Sequence, residues 1–224
     1  MKNFLMVVGG TALLIAAFWL FAPKPEQPLR MTNLPWQIEI FEDGTSKVLG
    51  IHIGKSRLAD VMAIYGELEG IAMFTDKKEK MSLEAYFSSI RTGPLKAKLV
   101  VTLDIAEEEM QAMAARAISR EGGPSGDHKL VLTEQDQSTH GQRIVTSLAY
   151  VPSYSKLDAV FFRKQFGEPS AWQQINETSV QWFYPERGLS VLILAEGREV
   201  LQYVSPKDYS GPTEPPKKEV GAQY

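Results

Sequence analysis

Two stretches of this chain share one pattern of apolar and polar positions. Residues 56–67 read SRLADVMAIYGE, and residues 155–168 read SKLDAVFFRKQFGE. Apolar residues three and four positions apart lie on one helix face, and Ser and Gly favour helix starts and ends. The pattern therefore predicts two equivalent helices, capped by Ser56 and Ser155. Their predicted core-facing residues are Leu58, Val61 and Met62 in the first copy, and Leu157, Val160 and Phe161 in the second.

Each predicted helix is followed by three short apolar or alternating runs separated by turn residues. Runs of this kind are typical of antiparallel strands. They are 71–74, 83–87 and 95–103 after the first helix, and 180–184, 189–194 and 199–204 after the second. A strand-like run also precedes each helix, at 48–53 and 143–151, and residues 36–41 are predicted to pair with the first of these.

A longer helix is predicted between the two copies, at about residues 105–120. Asp104 with Glu107 three residues later matches a capping box, and Gly122 is the first of the residues that would end the helix. The expected fold class is α+β. It consists of two helix-plus-antiparallel-sheet repeat units with their helices on one face of the sheet, after a single transmembrane helix.

The N-terminal run 4–22 contains no charged residue. A helix of about 20 apolar residues spans a bilayer core. A cleaved signal peptide is the alternative, but Leu20 and Pro23 fit poorly around the one plausible cleavage site after Ala22. We therefore predict an uncleaved anchor at residues 1–22. The positive-inside comparison of its flanks is close to a tie, and the short basic N-terminus favours an inner-membrane protein with its bulk in the periplasm.

Clusters of proline mark the limits of the folded part, because proline lacks a backbone donor and fixes φ. The predicted boundaries are a linker at 23–35, a first unit with the connecting helix at 36–125, a second unit at 126–205, and a disordered tail at 206–224.

Composition narrows the possible chemistry. The 224 residues carry a net charge of -3, which argues against a protein that grips nucleic acid through phosphates. The chain has no cysteine, which excludes disulfides, cysteine–zinc sites and a cysteine nucleophile. Its three histidines lie far apart. No metal site and no cofactor are predicted.

Two motifs imitate catalytic signatures and fail on spacing or context. Gly50 and Gly54 precede Lys55-Ser56 as in a phosphate-binding loop, but three residues separate them where four are needed. Residues 153–156 match S-x-x-K without the companion motifs of penicillin-binding enzymes. We interpret both stretches as the starts of helices, and we predict that the protein is not an enzyme.

Aromatic residues in the predicted strands are the strongest candidates for an interaction site, because aromatic side chains anchor protein interfaces. Strand residues of this kind also pack beneath helices, and we favour that core position for most of them. Strand alternation places Trp182 and Tyr184 on one face and Phe183 on the other. The predicted partner-binding residues are Tyr86, Trp172, Trp182 and Tyr184, and Phe87 belongs to the same aromatic set.

The second unit contains Phe166-Gly167-Glu168-Pro169, then Trp182-Phe183-Tyr184-Pro185 and Gly188-Leu189-Ser190-Val191. These motifs resemble the small periplasmic domain of the SmpA/BamE type, in which a Phe-Gly-x-Pro turn is followed by strands with a W-x-Y pattern. Beta-lactamase-inhibitor proteins repeat a similar unit in tandem. The resemblance covers 155–204 well and 56–103 loosely. It implies a protein-binding module. The chain lacks a lipid-accepting cysteine, so an outer-membrane anchor is not implied.

The main functional hypothesis is therefore an inner-membrane-anchored, extracytoplasmic protein-binding module with a partner in the cell envelope, acting in envelope assembly or maintenance. The alternative is a domain that binds a small molecule or lipid on the open face of its sheet. A stoichiometric protein partner would favour the first hypothesis, and co-purifying lipid would favour the second.

Overall fold

The computed structural model describes residues 31–76, 79–122, 128–138, 140–153, 157–195 and 199–214. Within these residues, strands far outnumber helices. The strands are β1 (Glu39–Ile40), β2 (Ser46–Val48), β3 (Ile51–Ile53), β4 (Gly70–Thr75), β5 (Met81–Thr92), β6 (Leu95–Leu103), β7 (Ser119–Gly122), β8 (His128–Val131), β9 (Val145–Pro152), β10 (Ala171–Asn176), β11 (Ser179–Tyr184), β12 (Leu189–Leu194) and β13 (Val200–Val204). The α-helices are α1 (Leu58–Tyr65), α2 (Glu107–Ala115), α3 (Glu134–Ser138) and α4 (Ala159–Phe166).

The predicted pair of α+β repeat units is wrong. Ten strands form a single antiparallel sheet in the order β10-β11-β12-β13-β9-β6-β5-β4-β8-β7, and β1, β2 and β3 form a separate small sheet. Strands from both halves of the chain meet where β6 pairs with β9, with Val100 opposite Ala149. The pattern of apolar residues identifies individual strands, but it does not encode this long-range pairing. The protein is therefore mainly β.

Several predicted features lie wholly or partly outside the described residues, among them residues 23–30 of the predicted linker. The others include the membrane segment at 4–22, the boundary between residues 125 and 126, and the end of the tail at 215–224. In the part of the chain that is described, no helix is both long and apolar enough to cross a bilayer. The start of the predicted tail forms a 3₁₀ turn at Pro206–Asp208, and the backbone N–H of Lys207 donates to the carbonyl oxygen of Gly44.

Both repeated helices are present, and each ends at a glycine with positive φ. The predicted cap at Ser56 is wrong. Its Oγ accepts from the backbone N–H of His52, and the carboxylate of Asp60 accepts from the N–H of Arg57 at the helix start. Ser155 lies outside the described residues. Asp158 caps α4 by accepting from the N–H of Phe161 at 2.8 Å.

The predicted core face of the second helix is partly wrong. Val160 is 70% exposed, whereas Phe162 is fully buried. The second copy is two residues longer than the first, and both extra residues lie before the helix. Counted back from the terminal glycine, Phe162 therefore corresponds to Val61, which is also fully buried. Leu157 is buried as expected, but it lies just before the helix.

The connecting helix is shorter than predicted. It covers Glu107–Ala115, its N-cap is Ala106 without a side-chain bond, and residues 119–122 form β7 instead. Pairing of β7 with β8 takes these residues out of the helix. The predicted strand at 48–53 is likewise a hairpin, because Leu49 and Gly50 turn the chain with φ values of +57° and +79°.

The hydrophobic core covers one face of the large sheet. Buried side chains of β3, α1, α2 and α4 pack in one cluster with alternate residues of the central strands. On β6, Ala97, Leu99 and Val101 are fully buried, while the alternate residues Val100 and Thr102 are partly exposed. Because side chains alternate along a strand, the second face of the sheet is left open.

Candidate functional site

The open face of the large sheet forms a groove with a volume of about 600 Å³. Strands β6, β9, β11, β12 and β13 supply its floor, and residues 208–211 lie at one end. Nineteen described residues line it, and only Glu84 and Asp208 among them carry charge, although 23% of the chain is charged. None of these lining residues is Lys or Arg, so the groove offers no cation for a phosphate or a carboxylate.

Neutral hydrogen-bonding side chains form a row across the groove. Gln181 Nε2 lies 3.4 Å from both Ser190 Oγ and Gln202 Oε1, and Ser190 Oγ lies 3.3 Å from Gln202 Oε1. Ser147 Oγ donates to Thr102 Oγ1 at 2.7 Å. The first three contacts are longer than the ~2.8–3.0 Å of a good hydrogen bond of these types, so they are weak. The two glutamines therefore retain capacity to bond to a ligand.

A second pocket, of about 580 Å³, lies beside β4 and β8. Phe74 and Tyr86 pack in it with ring centroids 5.8 Å apart. The hydroxyl of Tyr86 donates to Glu84 Oε2 at 2.9 Å, and Ser82 Oγ donates to the other carboxylate oxygen. Burial is the main cause that raises the pKa of Tyr86, so its hydroxyl keeps its proton and remains a donor.

The predicted partner-binding residues do not form one site. Tyr86 lies on the open face, opposite Val100 in the β5–β6 register. Trp182 and Tyr184 are buried in the core on the other face, and the guanidinium of Arg163 lies 4.7 Å from the Trp182 ring centroid. Tyr184 donates to the carbonyl oxygen of Gly167, and burial raises its pKa to about 12.

Trp172 stands apart from these buried residues, because its side chain is 45% exposed on the outermost strand β10. It lies directly opposite Trp182 in the β10–β11 register. Sequence reasoning missed the groove residues Gln181, Ser190 and Gln202. The available signal was the polar residue at the middle of each of three successive apolar strands.

The stretch that imitates a phosphate-binding loop has its backbone donors occupied. The N–H of Gly54 donates to Val145 at 2.7 Å, and those of Lys55 and Ser56 both donate to the carbonyl oxygen of His52. Lys55 Nζ forms an ion pair with Asp43 at 2.6 Å. The S-x-x-K motif falls largely outside the described residues. Within the described parts of the chain, no group of three or more His, Asp and Glu residues is placed to hold a metal ion.

His140 is the one buried histidine and belongs to a polar network beside α2 and α3. Its Nε2 bonds to the carbonyl oxygen of Asp136, and its Nδ1 accepts from Arg143 Nε at 2.8 Å. Asp136 in turn accepts three bonds from the guanidinium of Arg116, and Arg143 pairs with Glu109. Only the neutral ring satisfies these partners, because a proton on Nδ1 would face a guanidinium.

This network predicts a pH-dependent stability. Burial is the main cause that lowers the pKa of His140 from its ordinary value near 6.5. Below pH 6.5, His140 is protonated more readily in the unfolded chain than in the folded chain. The free energy of unfolding therefore falls as the pH falls. The contribution of one such group is at most ~1.4 kcal/mol per pH unit. We expect thermal unfolding scans between pH 7.5 and 5.5 to show this loss.

The control for this prediction is the conservative variant His140→Gln. Burial also lowers the pKa of His52, so the wild-type slope combines both histidines, and the difference between the two proteins isolates His140. His140→Gln should lose less stability than the wild type over the same interval. Equal slopes in the two proteins would show that His140 does not titrate as its surroundings imply.

We also compared the whole chain with known proteins. No protein-family model, curated protein or solved structure matches this chain.

Proposed function

We propose that this chain is a protein-binding module of the bacterial cell envelope, held at the inner membrane by its N-terminal segment with the folded part in the periplasm. The observation that supports this proposal best is the charge-poor groove on the open face of the sheet. Depletion of charge is the compositional mark of the centre of a protein interface. The resemblance to the SmpA/BamE type of domain points in the same direction.

The shape and chemistry of the groove suit a partner surface. Its floor spans five neighbouring strands, and the partly exposed Val100 and Val151 supply apolar contact beside the glutamines and serines. Phosphate groups of nucleic acid or of acidic lipid headgroups are poor occupants, because none of the described lining residues is basic. A protein surface with matching amide and hydroxyl groups is a better fit. The envelope partner would act in assembly or maintenance of that compartment.

A positive charge introduced into the groove should prevent binding of the protein partner. We expect the double variant Gln181→Arg/Gln202→Arg to lower recovery of a stoichiometric protein from detergent-solubilised membranes at least about tenfold, since an unpaired buried charge costs more than ~1.4 kcal/mol. The measurement is quantitative mass spectrometry of proteins that co-purify with the tagged full chain. Gln135→Arg, the same chemical change on the exposed face of α3, is the matched control.

The alternative function, small-molecule or lipid binding, rests on the pocket beside β4, where Ile71, Phe74 and Tyr86 form an apolar wall. Its volume falls within the usual range of ligand pockets. Co-purifying lipid that is lost in Phe74→Asp, with no stoichiometric protein, would favour this alternative. A protein retained at full yield by the Gln181→Arg/Gln202→Arg variant would contradict the main proposal.

A further inference from the structure

Within the described residues, strand β10 is an edge of the large sheet, and its pairing with β11 is regular from Ala171 to Gln174 before the register shifts between Gln174 and Asn176. Among the described strands it pairs only with β11, and its six residues, AWQQIN, include no charge and no proline. Such a strand extends over about 20 Å and leaves alternate backbone N–H and C=O groups pointing away from the sheet. Two of its apolar side chains, Trp172 and Ile175, are 45% and 48% exposed.

The opposite edge of the same sheet is built differently. Strand β7 has only four residues, SREG, and two of them are charged. Glu121 on this strand lies 3.8 Å from Lys129 on β8. Short length and exposed charge are the usual protection of a sheet edge against pairing with another chain. The sheet therefore protects one edge and leaves the other, the longer and more apolar one, open.

A pocket of about 410 Å³ lies directly beside β10. Trp172 and Trp182 line it with Arg163, Glu168, Pro169 and Ser170. Arg163 and Glu168 form an ion pair of 3.1 Å, so the charges of the pocket are matched. A strand added next to β10 would place every second side chain on the same face as Trp172, and the one beside Trp172 would lie at the mouth of this pocket.

We infer that β10 accepts an extended peptide segment of another protein, which adds a further strand to the sheet and inserts an apolar side chain against Trp172. Main-chain bonds supply affinity and a side pocket supplies selectivity in this mode of recognition. A second copy of this chain fits less well. Two six-residue strands paired edge to edge are in contact over a length of only ~20 Å. That contact is small, because a stable dimer buries ~1,200–2,000 Å² of surface. The site is separate from the groove on the open face.

The test uses the detergent-solubilised full chain and a synthetic decapeptide of alternating Thr and Val with one central Phe, labelled with fluorescein. We expect saturable binding by fluorescence anisotropy. A peptide of the same sequence with alternate N-methylated residues cannot form the ladder and should not bind. Trp172→Ala should weaken binding about tenfold, since aromatic anchors dominate such contacts. Ile175→Lys provides a second variant that charges the same edge and should also weaken binding.

Two controls separate this site from other surfaces. Arg120→Ala on the protected edge and Gln181→Arg/Gln202→Arg in the groove should bind the peptide like the wild type, so failure here and failure of the proposed groove function are distinguishable. Absence of binding would overturn the inference, as would equal binding of the N-methylated peptide or equal affinity of Trp172→Ala. A concentration-dependent dimer that Ile175→Lys abolishes would identify a second copy as the occupant and overturn it too.

Discussion

Phe162→Ala should lower the free energy of unfolding by about 3–5 kcal/mol, which is the usual cost of removing a fully buried phenylalanine. The Phe162 side chain has no solvent exposure, and its ring packs between those of Phe161 and Phe166. A typical domain is stable by only ~5–15 kcal/mol, so the loss is a large part of the total. Chemical unfolding followed by circular dichroism measures it.

Val160→Ala on the same helix is the control. Comparison of the two repeated stretches placed Val160 in the core, but the structure leaves it 70% exposed. It should change stability by no more than about 0.5 kcal/mol. If Val160→Ala proved as damaging as Phe162→Ala, the buried face of α4 would be assigned to the wrong residues.

Gly188→Ala should destabilise the protein by about 2–5 kcal/mol. Gly188 ends the 3₁₀ turn between β11 and β12 in the left-handed region, with φ +60° and ψ 30°. A Cβ there would lie 3.0 Å from the backbone nitrogen of Pro206 and nearer still to the carbonyl oxygen of Val204. The left-handed conformation costs roughly 1–2 kcal/mol for alanine, and an overpacked contact adds roughly 1–3 kcal/mol.

The contact matters because the N–H of Val204 donates to the carbonyl oxygen of Gly188 at 2.8 Å, so the β12–β13 ladder must open to admit a methyl group. Gly50→Ala separates strain from contact. Gly50 also has a positive φ, +79°, but the nearest atoms to its added Cβ are side-chain atoms at 3.4 Å. Its cost should be lower by about 2 kcal/mol. Equal costs would mean that backbone strain alone explains Gly188.

Two interior strands of the sheet, β6 and β12, were predicted with the greatest accuracy. The runs 95–103 and 189–194 match β6 and β12 residue for residue, because both strands are flanked by other strands and one face of each is buried. Burial on one face requires the strict alternation that a sequence pattern reveals. The helices α1 and α4 were found for the same reason.

Peripheral elements were missed because their residues do not need apolar alternation. Strand β7 is fully exposed, so its residues resemble the end of a helix, and β10 is exposed at all but its first residue. In both strands, main-chain pairing with a neighbour decides the conformation. The hairpin turn at Leu49–Gly50 was hidden inside an apolar run, since both of its strands are buried.

The residues of the candidate groove were also predicted only in part. Alternation correctly separated Trp182 and Tyr184 from Phe183, but it did not say which set faces the core. The helices cover one face of the sheet, and that choice leaves Phe183 and the glutamines in the groove. Trp172 shares the face of Trp182 and yet remains half exposed, because it lies on the outermost strand.

The sequence by itself determined that α1, α4 and most of the interior strands form, and that each has one apolar side, because these properties depend on neighbours within a few residues. The tertiary structure alone decided that β6 and β9 join the two halves into one sheet, which face of that sheet is open, and that β10 is its unprotected edge. These features depend on contacts between residues far apart in the chain. The periodicity of a single segment reports that it has a buried side, but it does not identify what lies against that side.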